Sequence, residues 1–390
     1  MSERVAVPWD DSLAAYDFGP RHPLKPIRVQ LTYELWKAYG LLDRPNVDVI
    51  KPRFATREEL ELVHTPRYIE AVEMISATAT DPFRNYGWGI GIGDNPAFRG
   101  MHEASAHVVG ASLVAAEAVA QGKAQHAFNP AGGLHHAMPD RASGFCIYDD
   151  PAIAIRWLLD GGERVAYLDV DVHHGDGPQF VFYEDPNVLT ISLHESGEYL
   201  FPGTGFPEEI GARGAEGTKV NVALPPLTDD FAYRKAFERV VPPLIESFKP
   251  TILVTQLGCD THATDPLAHF ALVTQTYSWL ASAMHDLAHR ITGGRWLALG
   301  GGGYQIYTVV PRAWTIYLAE ITGGELDDEL PEEWRERAMQ AGAPAELPRL
   351  LQDPGINAPP GRLEEARDEA AAATERTIEH VFPYHGLSSS

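Results

Sequence analysis

The feature that most constrains the fold is a recurring pair: a short apolar run followed at once by a cluster of polar or glycine residues. It occurs at Arg164–Val172 (RVAYLDVDV), Val188–Leu193 (VLTISL), Thr251–Leu257 (TILVTQL) and Arg295–Leu299 (RWLAL). Val5–Trp9 adds a short opening strand. Apolar runs of this length, bounded by turn-forming residues, read as buried strands. Helical stretches lie between several of them, at Phe231–Phe248 and Leu272–Arg290, and others precede them at Arg28–Tyr39 and Met101–Gln121. The pattern predicts an α/β protein, a single domain with a mostly parallel central sheet flanked by helices on both faces. Ligands of such sheets bind at the carboxyl ends of the strands, where these polar clusters fall.

Residues 1–324 read as the main, catalytic unit and 325–390 as an acidic, lysine-free extension, helical over Arg362–Phe382 and packed on the same domain. Arg21–Pro26 is a proline-bounded loop, and the glycine-rich Asn85–Arg99 reads as a surface loop. The balance of 54 acidic and 31 basic residues leaves a net charge of −23. Such a surface repels phosphate backbones, so no nucleic-acid partner is expected. It favours basic substrates, although solubility alone is a sufficient reason for it. Two cysteines without a CxxC exclude a disulfide framework and suit a reducing compartment. MSERVAVPWDD has no basic leader before an apolar run, and no apolar stretch approaches the roughly 20 residues of a membrane span. A cytoplasmic protein is expected.

Leu168–Gly177 (LDVDVHHGDG) is the most informative segment. Side chains at i, i+2 and i+4 of a strand share a face, so Asp169, Asp171 and His173 point one way. Burying two carboxylates and an imidazole is costly unless a cation or hydrogen bonds satisfy them. Oxygen and nitrogen donors without thiolate suit Zn²⁺ or another divalent metal, and a hydrogen-bonded polar cap is the competing reading. Leu257–Pro266 (LGCDTHATDP) follows another strand and offers Asp260 as a third ligand. Three protein ligands leave the open position that catalysis requires. Asp265 is best explained by the turn before Pro266, and His262 by a loop role.

In Pro130–Phe145 (PAGGLHHAMPDRASGF), His135 and His136 follow a glycine pair. An imidazole is a natural general base, and each would need a carboxylate on its second nitrogen. Asp169 and Asp176 are the spare acids. Leu299–Tyr304 (LGGGGY) reads either as a phosphate cradle, for which the spacing is wrong, or as a turn presenting Tyr304 as an oxyanion donor.

Together these segments, with HPLKPIR, GDNP, SGFC, SLH and FPGTG, resemble the arginase–deacetylase fold and specifically the histone deacetylases, over about residues 20 to 310. The resemblance implies that Asp171, His173 and Asp260 bind one Zn²⁺ per chain. It implies His136 as general base, His135 as its electrostatic partner, Asp169 and Asp176 as their respective carboxylates, and Tyr304 as the residue polarising the acetyl carbonyl. The implied reaction is hydrolysis of Nε-acetyl-lysine in proteins by metal-activated water, releasing acetate. Asp94 matches the residue that holds the substrate backbone. Gly144, Phe145 and Phe201 match the walls of the acyl-lysine channel, and Arg28 matches the arginine lining the inner cavity that serves as the acetate exit. A monovalent cation, K⁺, is implied behind the zinc, with Asp169, Asp171 and Ser192 as side-chain ligands. Within the family the chain looks most like the bacterial acetoin-utilisation deacetylases, which implies acetylated enzymes such as acetyl-CoA synthetase as partners. His262 departs from the smaller or aliphatic residue expected in eukaryotic relatives.

Three other readings compete. Deacetylation of polyamines or other small acetylated amines would call for an acidic gatekeeper, and the matching position is Leu267. An arginase-like hydrolase with two manganese ions needs more bridging carboxylates than LGCDTHATDP supplies. A catalytically dead acyl-lysine binding module would have no reason to keep three ligands, both histidines and Tyr304.

Overall fold

Parallel pairing runs through the sheet, whose strands are β1 (Val5–Pro8), β2 (Val47–Ile50), β3 (His126–Asn129), β4 (Val165–Asp169), β5 (Val188–Glu195), β6 (Lys219–Leu224), β7 (Ile252–Gln256) and β8 (Trp296–Leu299). Their order is β2-β1-β3-β8-β7-β4-β5-β6, and every neighbouring pair is parallel. The computed structural model describes residues 3–79, 85–91, 93–354 and 360–388. The expectations for Asn85–Arg99 and for the extension also cover residues 92, 355–359, 389 and 390, which lie outside the described residues.

Alternation along the central strands feeds two cores. Val165 and Tyr167 of β4, Ile252 and Val254 of β7, and Leu297 and Leu299 of β8 join a core with the helices Met101–Ala120 and Asp150–Asp160. Ala166, Leu168, Leu253, Trp296 and Ala298 face the opposite side, with the helices Ile27–Ala38, Asp230–Phe248, Thr274–Thr292 and Val310–Thr322. Burial on both faces is why these strands read as continuous apolar runs. Among the described residues no helix is long and apolar enough to cross a membrane.

Three of these strands, β2, β3 and β6, are absent from the sequence reading. His126–Asn129 (HAFN) carries almost no β-branched signal, and its pairing with β1 and β8 makes it a strand. The run predicted to Val172 stops as a strand at Asp169. There, Asp169 Oδ1 accepts the Asp171 amide at 3.1 Å, and Asp171 Oδ1 accepts the His173 amide at 3.0 Å. These side chains replace ladder partners and turn the chain, so Asp171 and His173 project from a loop and not from one strand face. The glycine-rich segment, read as a surface loop, is partly packed: Trp88 O accepts the Ala142 amide at 2.9 Å, and Asn95 is buried. The helix Pro360–Val381 packs on β6 and on Asp230–Phe248, where Thr377 Oγ1 donates to Asn221 O at 2.7 Å.

Candidate active site

Four adjacent strands, β3, β8, β7 and β4, deliver the four polar segments to one place. Asn129 leads into Pro130–Phe145, Leu299 into the glycine turn, Gln256 into LGCD, and Asp169 into DVHHGD. Parallel strands all end on the same side, so residues up to 170 positions apart in sequence converge there without any local motif linking them.

Asp171, His173 and Asp260 are buried and bring one donor atom each within 4.8 Å of the others. His173 Nδ1 lies 3.1 Å from Asp171 Oδ1 and 3.2 Å from Asp260 Oδ2. Ligands about 2.0–2.1 Å from a tetrahedral ion stand about 3.3 Å apart, so the donors fit a divalent metal in spacing as well as in chemistry. Burial and the nearby Asp171 charge push the Asp260 carboxyl well above the usual carboxylate range, a cost that a shared cation removes. The remaining carboxylate oxygens are held by the protein. Asp171 Oδ2 accepts from Gln256 Nε2 and from the Gly302 amide, each at 2.7 Å, and Asp260 Oδ1 accepts the Val172 amide at 2.9 Å. A Cβ at Gly302 would overlap both carboxylates, which explains a glycine at this point of the turn.

Two imidazole–carboxylate pairs flank this cluster. His135 Nδ1 donates to Asp169 Oδ2 and His136 Nδ1 to Asp176 Oδ1, each at 2.7 Å. Burial works against charge on His135, but the carboxylates of Asp169 and Asp171 outweigh it and raise its pKa to about 10. For His136, burial and the neighbouring His135 charge outweigh Asp176 and lower the pKa to about 4. The two rings are thus pushed in opposite directions, and His136, with its Nδ1–H committed to Asp176, keeps Nε2 as an acceptor. Tyr304, on the glycine turn, has its hydroxyl held in the protonated form by burial and by Asp260 and Asp171. Tyr304, His135, His136, Asp171 and His173 line a common cavity of about 20 Å³, room for about one water.

Arg28 reaches the same cavity, donating to Gly301 O at 2.7 Å and Gly303 O at 3.2 Å. Gly144 and Phe145 line it too, and the Phe145 ring stands 5.7 Å from Tyr304. Gly144 has φ +49, and a Cβ there would overlap the His136 ring. Phe201 is exposed, its ring 5.0 Å from that of His136. Asp94 is exposed on its loop, whose backbone carbonyl at that residue accepts from His22 Nε2 at 3.0 Å. Leu267 is half-buried in the loop after Asp265, and neither it nor Asp94 lines the cavity. Ser192 sits beside Asp169 across the β4–β5 pair and donates to His194 Nδ1 at 2.8 Å.

Two sequence readings need correction. Asp265 does cap its turn, accepting the Leu267 amide at 3.0 Å, but its other oxygen accepts the Tyr304 amide at 2.8 Å and so anchors the glycine turn. His262 is more than a loop residue: it is buried and bonded to Asp353 of the extension at 2.9 Å. Other supports escaped sequence reasoning. Gln256 holds Asp171, and Asp150 accepts the Gly133 and Leu134 amides at 3.0 and 2.8 Å. His64 braces the histidine loop, with Nδ1 donating to Met138 O at 3.1 Å and Nε2 accepting the Asp149 amide at 3.0 Å. Burial lowers its pKa to about 4. Position at a strand end was the one available signal for Gln256; the others carry none.

Comparison with known proteins agrees with this arrangement. Residues 22–321 match the histone deacetylase domain model. The chain is 42% identical over 353 residues to the acetoin utilization protein AcuC of Bacillus subtilis (strain 168), covering 90% of each chain. It is 38% identical over 336 residues to AcuC of Staphylococcus xylosus, covering 86% of this chain and 87% of that one. The crystal structure of an HDAC homolog complexed with SAHA superposes with a TM-score of 0.83 at 32% identity, over 96% of this chain and 100% of the other. An HDAC homolog from Aquifex aeolicus gives 0.81 at 32% identity, over 95% and 100%. With its three-donor cluster and paired histidines on an eight-stranded arginase–deacetylase sheet, the chain belongs to the histone deacetylase family, as a deacetylase of the acetoin-utilisation type.

Proposed function

We propose that this deacetylase is zinc-dependent and hydrolyses Nε-acetyl-lysine in proteins, releasing acetate. The observation that carries the reading is the convergence of a neutral, carboxylate-held His136, a protonated Tyr304, Asp171 and His173 on one small cavity, with Asp260 3.2 Å behind His173 Nδ1. Zn²⁺ held by those donors supplies Lewis-acid polarisation of a carbonyl and a lowered pKa for water. Nε2 of His136 accepts a proton from the attacking water and returns it to the departing lysine amine. The Tyr304 hydroxyl donates to the oxyanion of the tetrahedral intermediate, and His135, held by Asp169, assists electrostatically. Arg28 at the inner end of the cavity suits an acetate leaving that way.

Phe145 and Phe201 offer apolar walls for an aliphatic lysine stem, and the exposed Asp94 is the proposed holder of substrate backbone amides. The absence of a carboxylate at Leu267 supports a lysine in a polypeptide over an acetylated polyamine with its second cation. Acetylated enzymes, acetyl-CoA synthetase among them, are the proposed substrates, and K⁺ beside Asp169 and Ser192 a proposed structural ion. A panel of acetyl-lysine peptides and acetylated polyamines, assayed with zinc replenished after chelation, tests the assignment. Peptides should show the higher kcat/KM, and a preference for polyamines would overturn it.

A further inference from the structure

A second imidazole cluster lies at the opposite ends of the strands. Glu3 precedes β1, His126 opens β3, and His285 and His289 stand four residues apart on the helix Thr274–Thr292. Each offers one ligand atom within 4.8 Å of all the others. Oε2 of Glu3 lies 3.3 Å from His289 Nε2, 3.7 Å from His126 Nε2 and 3.9 Å from His285 Nε2. Nε2 of His285 and Nε2 of His289 are 3.0 Å apart. Those separations bracket the roughly 3.3 Å edge of a tetrahedral site with bonds of about 2.0–2.1 Å.

Two further observations point to an ion. His126 is fully buried, and neither of its ring nitrogens makes a hydrogen bond among the described residues. An imidazole withdrawn from water in that state is costly unless something takes its lone pair. His285 Nδ1 is 3.2 Å from Glu320 Oε1, the outer carboxylate contact that turns the opposite Nε2 lone pair inward in metal-binding histidines. A plain hydrogen-bonded histidine cluster accounts for the His285–His289 contact but leaves His126 without a partner. An open cleft lined by Glu3, Arg44, Asn46 and His285 gives an entry path.

We infer that Glu3, His126, His285 and His289 form a second metal site, taking one divalent transition ion of the imidazole-preferring class, with zinc as the ion to test first. The ion ties the N-terminal segment, β3 and the helix Thr274–Thr292 together. It is separate from the active site, because β3 carries the chain about 10 Å from His126 to Asn129 before the histidine loop begins.

The full-length protein, saturated with Zn²⁺ and freed of excess, should show a zinc-edge anomalous peak among these four side chains. A His285→Gln/His289→Gln double variant should hold one ion fewer than the wild type with unchanged turnover. Trp296, whose ring is 6.0 Å from His126 and 6.2 Å from His285, supplies a second readout. Cu²⁺ should quench its fluorescence in a saturable phase that the double variant lacks. Equal metal content and equal quenching in wild type and variant, or no anomalous peak at this position, would overturn the inference and leave a hydrogen-bonded cluster only. The wild-type anomalous map decides the matter should the double variant fail to fold.

Discussion

The two ends of the sheet hold contrasting clusters. At the carboxyl ends, Asp171, His173 and Asp260 combine two carboxylates with one imidazole, all buried, with their spare oxygens tied to Gln256, Gly302 and Val172. At the amino ends, three imidazoles meet one exposed carboxylate, and only His126 is buried. The carboxylate-rich site sits among two further histidine–aspartate pairs and a tyrosine, while the imidazole-rich one has, among the described residues, an outer carboxylate contact at Glu320. The difference is the one expected between the proposed catalytic donor set and the proposed staple. Reactivity needs charge that is buried, oriented and left with an open position, whereas joining three chain segments needs only donors at the right spacing.

The largest effect expected is at the buried end. Asp260→Ala should abolish turnover and remove one metal equivalent, because two ligands cannot hold the ion in a catalytic geometry. Elemental analysis beside a peptide assay checks this. Full metal content with normal turnover would dissolve the contrast between the two clusters.

His136→Ala should keep its metal and lose about 10²–10⁴-fold in rate, the usual cost of removing a general base. Single-turnover kinetics on the metal-loaded variant measures it. Loss of metal in step with activity would instead make His136 a ligand.

Tyr304→Phe should cost about 10²–10³-fold in kcat, with much less change in KM, since its hydroxyl is assigned to the transition state. A variant with near-normal kcat would return the glycine turn to a purely structural role.

The smallest effect concerns pH. His64 is buried neutral, its pKa lowered by burial from 6.5 to about 4, so the unfolded chain binds the extra proton first as pH falls. Its contribution is therefore complete above pH 6.5 and lost on the way down to about 4, at most roughly 3 kcal/mol. Urea unfolding at pH 7 and pH 5 should show a smaller pH difference for His64→Gln than for the wild type. Equal pH slopes would mean that His64 does not contribute to acid lability at the active-site end.

Much of the catalytic end was legible because its chemistry is local. LDVDVHHGDG carries four polar site residues within ten positions, and GGLHH and GGGGY announce themselves by glycines next to reactive side chains. The supports were not legible. Asp150 stands in no motif, Asp265 reads as a turn acid, and Gln256 lies near the end of a strand, yet each holds a loop that bears a site residue. Glu3, His126, His285 and His289 are scattered over almost 290 positions, and the four-residue spacing of His285 and His289 brings in neither Glu3 nor His126. His126 lay in a strand the sequence did not suggest.

By itself, the sequence determined the fold class, five of the eight strands and the polar segments that end them, because hydrophobic period and side-chain chemistry are properties of short segments. Only the tertiary structure decided the strand order. Placing β8 between β3 and β7 set Gly302 against Asp171 and Tyr304 against Asp265, and it put Trp296 in register with His126. Strand pairing between distant segments depends on which packed arrangement buries both faces of the sheet best, and no short window of residues contains that information.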